Sequence, residues 1–319
     1  MSNKNIKDEV KVFSLSSNKP LAELIAKNLG LELGQCSIQT FSDGEIQVNV
    51  EETVRGYDTY IIQSTNDPSD QHLMEILILL DAFKRASAKT INVVMPYFGY
   101  ARQDRKTKAR EPITAKLIAD IIEKAGANRV MAMDLHATQV QGFFDIPVDH
   151  LNGMAIMAEY FLAKKLEDVV VVAPDHGSVK RARNFADSIN APIAILDRRG
   201  PRDATTDSQL SVVGEIAGKT CILLDDIVDT GRRVSTGAHA LMKSGAKEVY
   251  AACTHAVLSG IATTYLKDSP LKEMVVTDTI EIPTHKQIDK LTVLSTADLF
   301  SEAITRVHLE EPVSPLFNY

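Results

Sequence analysis

From Val12 onward, short apolar runs alternate with amphipathic stretches. Val12-Phe13-Ser14-Leu15 predicts a strand, residues 20–29 carry a helical apolar period, and Gly30 stops that helix. Tyr60-Ile61-Ile62-Gln63 predicts the next strand, 72–86 a largely buried helix, and 91–95 a further strand. Repeated switching between the two periods predicts β/α units and a parallel sheet. Asp43-Gly44 interrupts this order: the pair favours a hairpin turn, and the residues after it alternate as a strand. Residues 129–133 and 169–173 predict strands, Val275-Val276 begins another, and 297–308 form a last helical pattern. The tail from Pro312 to Tyr319 is expected to dock on the body, on the N-terminal domain or on a neighbouring subunit.

A chain of 319 residues is long for one core, and two domains are expected, 1–150 and 151–319. An internal comparison supports this. Gly126-Ala-Asn-Arg-Val-Met-Ala-Met-Asp-Leu-His136-Ala137 matches Gly245-Ala-Lys-Glu-Val-Tyr-Ala-Ala-Cys-Thr-His255-Ala256 in Gly, Ala, Val, Ala, His and Ala. The predicted helix over 113–124 then corresponds to that over 232–243, as two copies of one α/β unit.

Composition narrows the class. With 45% hydrophobic and 24% charged residues the chain has the make-up of a soluble globular protein. Its net charge of −7 offers no general attraction for nucleic acid or an anionic membrane, so any anion site must be a local concentration of Lys and Arg. Cys36, Cys221 and Cys253 are too scattered for a zinc site or a disulfide framework, and reduced, structural thiols are expected. Neither a signal region nor a transmembrane stretch is evident, so a cytoplasmic location is expected.

The candidate chemistry lies in loops after predicted strands. In residues 223–237 an apolar run ends in Asp225-Asp226, and Asp229-Thr230-Gly231-Arg232-Arg233 leads into a helix. Open α/β sheets bind ligands at such strand ends; loop amides at a helix start suit a phosphate, and the two acids suit ribose hydroxyls or a metal. An ordinary Asp/Gly surface turn is the plainer alternative. The corresponding loop of the first copy is basic, with Arg102, Arg105, Lys106, Lys108 and Arg110, and suits a polyanion such as a nucleotide triphosphate. Strand ends at Asp134-Leu-His136 and Pro174-Asp175-His-Gly-Ser fit a Mg²⁺ site, because Mg²⁺ takes few protein ligands and completes its shell with water and phosphates. Lys180, Arg181 and Arg183 after Asp175 suit a metal-bound polyphosphate. Arg198-Arg199-Gly200-Pro201-Arg202 then opens a polar stretch that suits a lid over phosphates.

Taken together, Phe-Ser-Asp-Gly-Glu at 41–45, Tyr-Ala-Arg-Gln-Asp-Arg-Lys at 100–106, Arg-Glu-Pro-Ile-Thr-Ala-Lys at 110–116, Asp-Leu-His-Ala at 134–137, Gln-Gly-Phe-Phe-Asp at 141–145, Pro-Asp-His-Gly at 174–177 and Asp-Asp-Ile-Val-Asp-Thr-Gly at 225–231 closely resemble the phosphate-activated ribose-phosphate pyrophosphokinases. The resemblance spans nearly the whole chain. It implies two type I phosphoribosyltransferase-like α/β domains, each a mostly parallel sheet flanked by helices, assembled as a homohexamer of dimers. It also implies transfer of the β,γ-diphosphate of ATP to the C1 hydroxyl of ribose 5-phosphate in nucleotide biosynthesis, yielding phosphoribosyl pyrophosphate and AMP. Arg102, Gln103 and Asp104 would then contact ATP, with Phe41, Asp43, Gly44 and Glu45 reaching the nucleotide of a neighbouring subunit. His136 and Asp175 would hold Mg²⁺, Asp225 and Asp226 would face the ribose hydroxyls, and Asp229, Thr230, Gly231, Arg232 and Arg233 would form the 5-phosphate loop.

The chain departs from the family where catalysis is concentrated. Arg198 stands where the family has a catalytic Lys, followed by Arg199, and Gly200 where it has a second Arg. Arg232-Arg233 replaces a small residue and Thr, and Ser178 a common Gly. Diphosphoryl transfer rests on preorganised charge, and loss of one such donor typically costs about 10²–10³ in rate. Reduced activity is therefore expected. The alternative is a catalytically impaired, nucleotide-binding or regulatory paralogue that associates with an active isozyme.

Overall fold

The computed structural model describes residues 6–198 and 210–317, which fall into two compact units. Of the described residues, the first contains 6–152, 279–281 and 295–317, and the second 153–198, 210–278 and 282–294.

Unit 1 begins with α1 (Ile6–Glu9), β1 (Val10–Ser14) and α2 (Lys19–Asn28), followed by a hairpin of β2 (Cys36–Thr40) and β3 (Ile46–Val50). It continues through β4 (Asp58–Ile62), α3 (Ser69–Arg85), β5 (Thr90–Met95), α4 (Thr114–Ala125), β6 (Arg129–Met133) and β7 (Val148–Leu151). Among the described residues its main sheet has the order β1-β4-β5-β6-β7, and each neighbouring pair is parallel. Alternating strand residues feed opposite faces. Val12, Tyr60 and Met131 pack with Ile25 of α2, whereas Phe13, Ile61 and Val130 pack with Leu79 and Ile122 of α3 and α4. Near-continuous burial along β4 is what a sheet covered on both faces requires.

Unit 2 contains α5 (Met154–Ala163), β8 (Val169–Ala173), α6 (Val179–Ser188), β9 (Ile193–Arg198), β10 (Leu210–Val213) and β11 (Thr220–Val228). After these come α7 (Arg232–Lys243), β12 (Glu248–Ala256), α8 (Ala262–Asp268), β13 (Glu273–Thr277) and β14 (Leu291–Leu294). Its sheet runs β10-β9-β8-β11-β12-β13-β14, parallel except for β10 against β9. The α/β class with parallel sheets and flanking helices is thus observed in both units. In each, a strand leads through a loop into a helix, and the next strand pairs beside it: β5-α4-β6 and β11-α7-β12.

The chain finally contributes α9 (Ala297–His308) to unit 1, where Phe300 and Ile304 are fully buried beside Ile25 and Tyr60. Burying two such side chains is worth about 1.5–3 kcal/mol each. Asn28 donates to Asp298 at 2.7 Å, tying α2 to the first turn of α9. No described helix is long and apolar enough to cross a membrane.

Candidate active site

In unit 2 the candidate side chains converge at the carboxyl ends of β8 and β11. Asp225 and Asp226 do not follow the strand, as the apolar run implied; they lie within it, because pairing with β12 continues to Val228 against Ala256. Ladder hydrogen bonds override the low strand propensity of Asp, and both carboxylates are buried, at 6% and 3% exposure. Buried carboxylates need partners. Arg181 supplies them from α6: its Nη1 lies 3.0 Å from Asp226 Oδ1 and 3.4 Å from Asp225 Oδ1. The polyphosphate role expected for Arg181 is therefore corrected: desolvated acids have captured this guanidinium. Burial, reinforced by the neighbouring Asp226 charge, pushes the Asp225 carboxyl up to about 7 against the opposing pull of Arg233.

Asp175 caps the 3₁₀ turn His176–Ser178, accepting from the Ser178 amide at 2.9 Å and its hydroxyl at 3.0 Å. The Ser at 178 thus adds a second hydrogen bond to Asp175. Arg233, at the start of α7, forms an ion pair with Asp175 and places Nη1 3.5 Å from Asp225 Oδ2. Partial burial would raise the Asp175 pKa, but Arg233 and Ser178 outweigh it and hold the carboxyl below its usual value. Asp175 is therefore an ionised, half-exposed carboxylate already facing a cation.

The loop between β11 and α7 is pinned by Ser259, whose hydroxyl donates to Asp229 Oδ1 at 2.5 Å and whose amide donates to the Asp229 carbonyl at 2.9 Å. Gly231 has φ 71°, and a Cβ there would lie 2.7 Å from the Ala262 carbonyl oxygen, so a side chain is excluded twice over. Thr230, Arg232 and Arg233 are exposed around it. Arg198 ends β9, while Arg199, Gly200 and the remainder of the expected lid to Gln209 lie outside the described residues. His176 approaches Asp197 of β9, with Nε2 3.0 Å from Oδ1.

Unit 1 places the basic loop between β5 and α4. Arg102 and Gln103 are exposed, and the Gln103 side chain accepts from Thr114 at 2.6 Å at the head of α4. Asp104 accepts from Gln139 at 2.7 Å, which links the loop to the segment after His136. His136 is exposed, next to a turn in which Asp134 has φ 39°, a backbone strained for a non-glycine residue. In the hairpin, Asp43 accepts from the Glu45 amide at 3.1 Å, Gly44 has φ 94°, and Phe41 is 43% exposed.

Sequence reasoning missed His150. Its Nε2 accepts from the Leu135 amide at 2.9 Å, so a neutral imidazole on β7 holds the turn that presents His136. Burial lowers its pKa from 6.5 to about 4. The folded protein resists this proton while the unfolded chain takes it up, so unit 1 loses stability as pH falls from 6.5 towards 4. In an NMR titration the His150 ring is expected to remain neutral at pH 5.5, where exposed histidines are charged; a midpoint near 6.5 would refute this.

A basic loop in one parallel-sheet unit and an acidic loop leading into a helix in the other define the class as an α/β protein with strand-end loops suited to anionic ligands. Residues 10–126 match the family described as the N-terminal domain of ribose phosphate pyrophosphokinase, and 201–318 the phosphoribosyl synthetase-associated domain. Ribose-phosphate pyrophosphokinase of Bacillus subtilis is 57% identical over 318 residues, covering 100% of both chains. Ribose-phosphate pyrophosphokinase 2 of Enterococcus faecalis is 56% identical over 97% of this chain and 96% of its own length. The crystal structure of phosphoribosylpyrophosphate synthetase from Mycobacterium smegmatis superposes with a TM-score of 0.90 at 40% identity, covering 95% of this chain and 99% of that one. The chain belongs to the ribose-phosphate pyrophosphokinase family.

Proposed function

We propose that the chain transfers the β,γ-diphosphate of ATP to the C1 hydroxyl of ribose 5-phosphate, releasing AMP. The observation that carries this is the cluster of Asp175, Asp225, Asp226 and Arg233 beside the loop before α7, in a member of the family. Asp225 and Asp226 would accept from the ribose hydroxyls, and the backbone amides of 229–233 would hold the 5-phosphate. Arg102, Gln103 and Asp104 would position ATP, and Arg198 and Arg199 would stabilise charge on the transferred group.

Asp175 is ionised and already attracts a cation, which fits Mg²⁺. When bound, Mg²⁺ would neutralise negative charge on the phosphates. Assembly as a homohexamer of dimers is part of the same proposal. Phe41, Asp43 and Glu45 at an exposed hairpin tip would then serve a neighbouring nucleotide site.

The second reading, an impaired paralogue that binds nucleotide and joins an active isozyme, is favoured by one observation: Arg233 covers two of the acids that substrate and metal need. A coupled assay for AMP release separates the two. Catalysis predicts AMP formation that depends on both ribose 5-phosphate and Mg²⁺. No turnover at any Mg²⁺ or phosphate concentration would leave the impaired paralogue.

A further inference from the structure

We propose that Glu9 and His308, with Asp58 behind the imidazole, bind one divalent transition cation of the zinc type, at a site within unit 1 and independent of the acids of β11. The donor atoms of these three residues lie within 4.8 Å of one another. His308 ends α9, and its side chain is completely shielded from solvent. Its Nδ1 lies 3.3 Å from Asp58 Oδ2 at the start of β4. That contact places the ring proton on Nδ1 and leaves a lone pair on Nε2. Nε2 is buried without a hydrogen-bond partner among the described residues, a rare condition for a buried imidazole nitrogen. It lies 4.0 Å from Glu9 Oε2, at the end of α1.

The spacing suits a shared ion better than a direct hydrogen bond. Zinc binds imidazole nitrogen at about 2.0–2.1 Å and carboxylate oxygen at about 2.0–2.2 Å, so two of its tetrahedral donors stand about 3.4 Å apart, and a small turn of Glu9 brings the 4.0 Å spacing to that value. The Glu9 side chain is 38% exposed, which gives it room to turn and the ion a way in. Asp58 completes a carboxylate–histidine–metal arrangement, in which the outer carboxylate fixes the tautomer and raises the basicity of the ligating nitrogen. Thr90 donates to its other oxygen at 2.9 Å, and Lys89 lies 3.0 Å from Oδ2, which makes Asp58 the orienting group and Glu9 the ligand. Imidazole with one carboxylate favours zinc, cobalt or nickel over Mg²⁺, which prefers oxygen donors and retains its water. Such an ion would join α1, β4 and α9, and so raise the heat stability of unit 1.

The test uses the full-length, chelator-treated protein in excess Mg²⁺, with Co²⁺ as an absorption probe and Zn²⁺ as competitor. One equivalent of Co²⁺ is expected to bind and to be displaced by Zn²⁺. Glu9→Gln, at a partly exposed residue, should weaken binding by about tenfold or more, and Asp58→Asn by about 10–100-fold. Zn²⁺ should raise the Tm of the wild-type protein but not of Glu9→Gln. Absent Co²⁺ binding, or equal binding to wild type and Glu9→Gln, would overturn the proposal. So would a Tm indifferent to Zn²⁺ but lowered by Glu9→Gln without metal, since the ring would then be an imidazolium held between two carboxylates.

Discussion

Arg233→Thr is expected to tighten cation binding at Asp175 by about tenfold or more and to raise kcat/KM for diphosphate transfer. The guanidinium touches Asp175 and comes within 3.5 Å of Asp225, so it occupies the carboxylates that a metal and a ribose would use. At 48% and 49% side-chain exposure the Arg233–Asp175 pair contributes at most about 1 kcal/mol, a contact that an arriving divalent ion can break. The residual positive charge nevertheless repels that ion, and two unit charges about 4 Å apart near a protein surface interact by up to about 4 kcal/mol before screening. Threonine removes the repulsion and places a hydroxyl beside the 5-phosphate loop. Mn²⁺ binding followed by electron paramagnetic resonance reads the first effect without requiring turnover. Weaker Mn²⁺ binding by the variant would show that Arg233 assists the site instead of obstructing it.

Arg181→Met is expected to have the opposite character, destabilising unit 2 by about 3–5 kcal/mol. That is the usual consequence of removing one partner from a buried ion pair, because the remaining charge is left uncompensated. Arg181 is 19% exposed and its partners Asp225 and Asp226 are 8% and 4% exposed in their side chains, so water can replace little of what is lost. The pH dependence follows from sign. A carboxyl whose folded pKa lies above its unfolded value takes up protons on folding, so its penalty is fully present above the folded pKa and fades as pH falls towards the unfolded one. Asp225 already behaves this way, with a folded pKa of about 7 against 3.8, and loss of Arg181 would strengthen the effect. Urea unfolding monitored at pH 8 and pH 6 should show the variant recovering part of its deficit at the lower pH. A deficit independent of pH would mean that packing of the Arg181 stem, not its charge, holds the acids.

His150 and Asp225 respond to acid in opposite senses. Between about pH 6.5 and 4 the neutral His150 weakens unit 1, while over much of the same range protonation of Asp225 relieves unit 2. Neither His150 nor the pairing of Arg181 was legible in the sequence, for different reasons. Arg181 is separated from its carboxylates by 44 and 45 residues, and no local period links a helix residue to acids on a later strand. His150 lies on a short strand whose neighbours give no chemical cue, and its role rests on a backbone amide that no side-chain motif reveals.

Elements with a strong apolar period were legible: the pattern over 297–308 matches α9, and 129–133 matches β6. β11 was read short, because Asp225-Asp226 signals a strand end locally while pairing with β12 carries the backbone further. The loop before α7 was recognisable because Asp and Gly mark a turn after an apolar run. That Arg233 would cover Asp175 was not, since the two are 58 residues apart.

The placement of α9 has a consequence for synthesis on the ribosome. Val12, Tyr60 and Met131 are made before unit 2, yet the apolar face they form is closed by Phe300 and Ile304, which are made after it. Unit 1 must wait with one sheet face open while the whole of unit 2 is translated. Unit 2 has its own continuous stretch from 153 to 278 and can collapse during that wait. Vectorial folding here runs against the usual order of N-terminal domain first, and an open apolar sheet face on the nascent chain is where a chaperone would engage it.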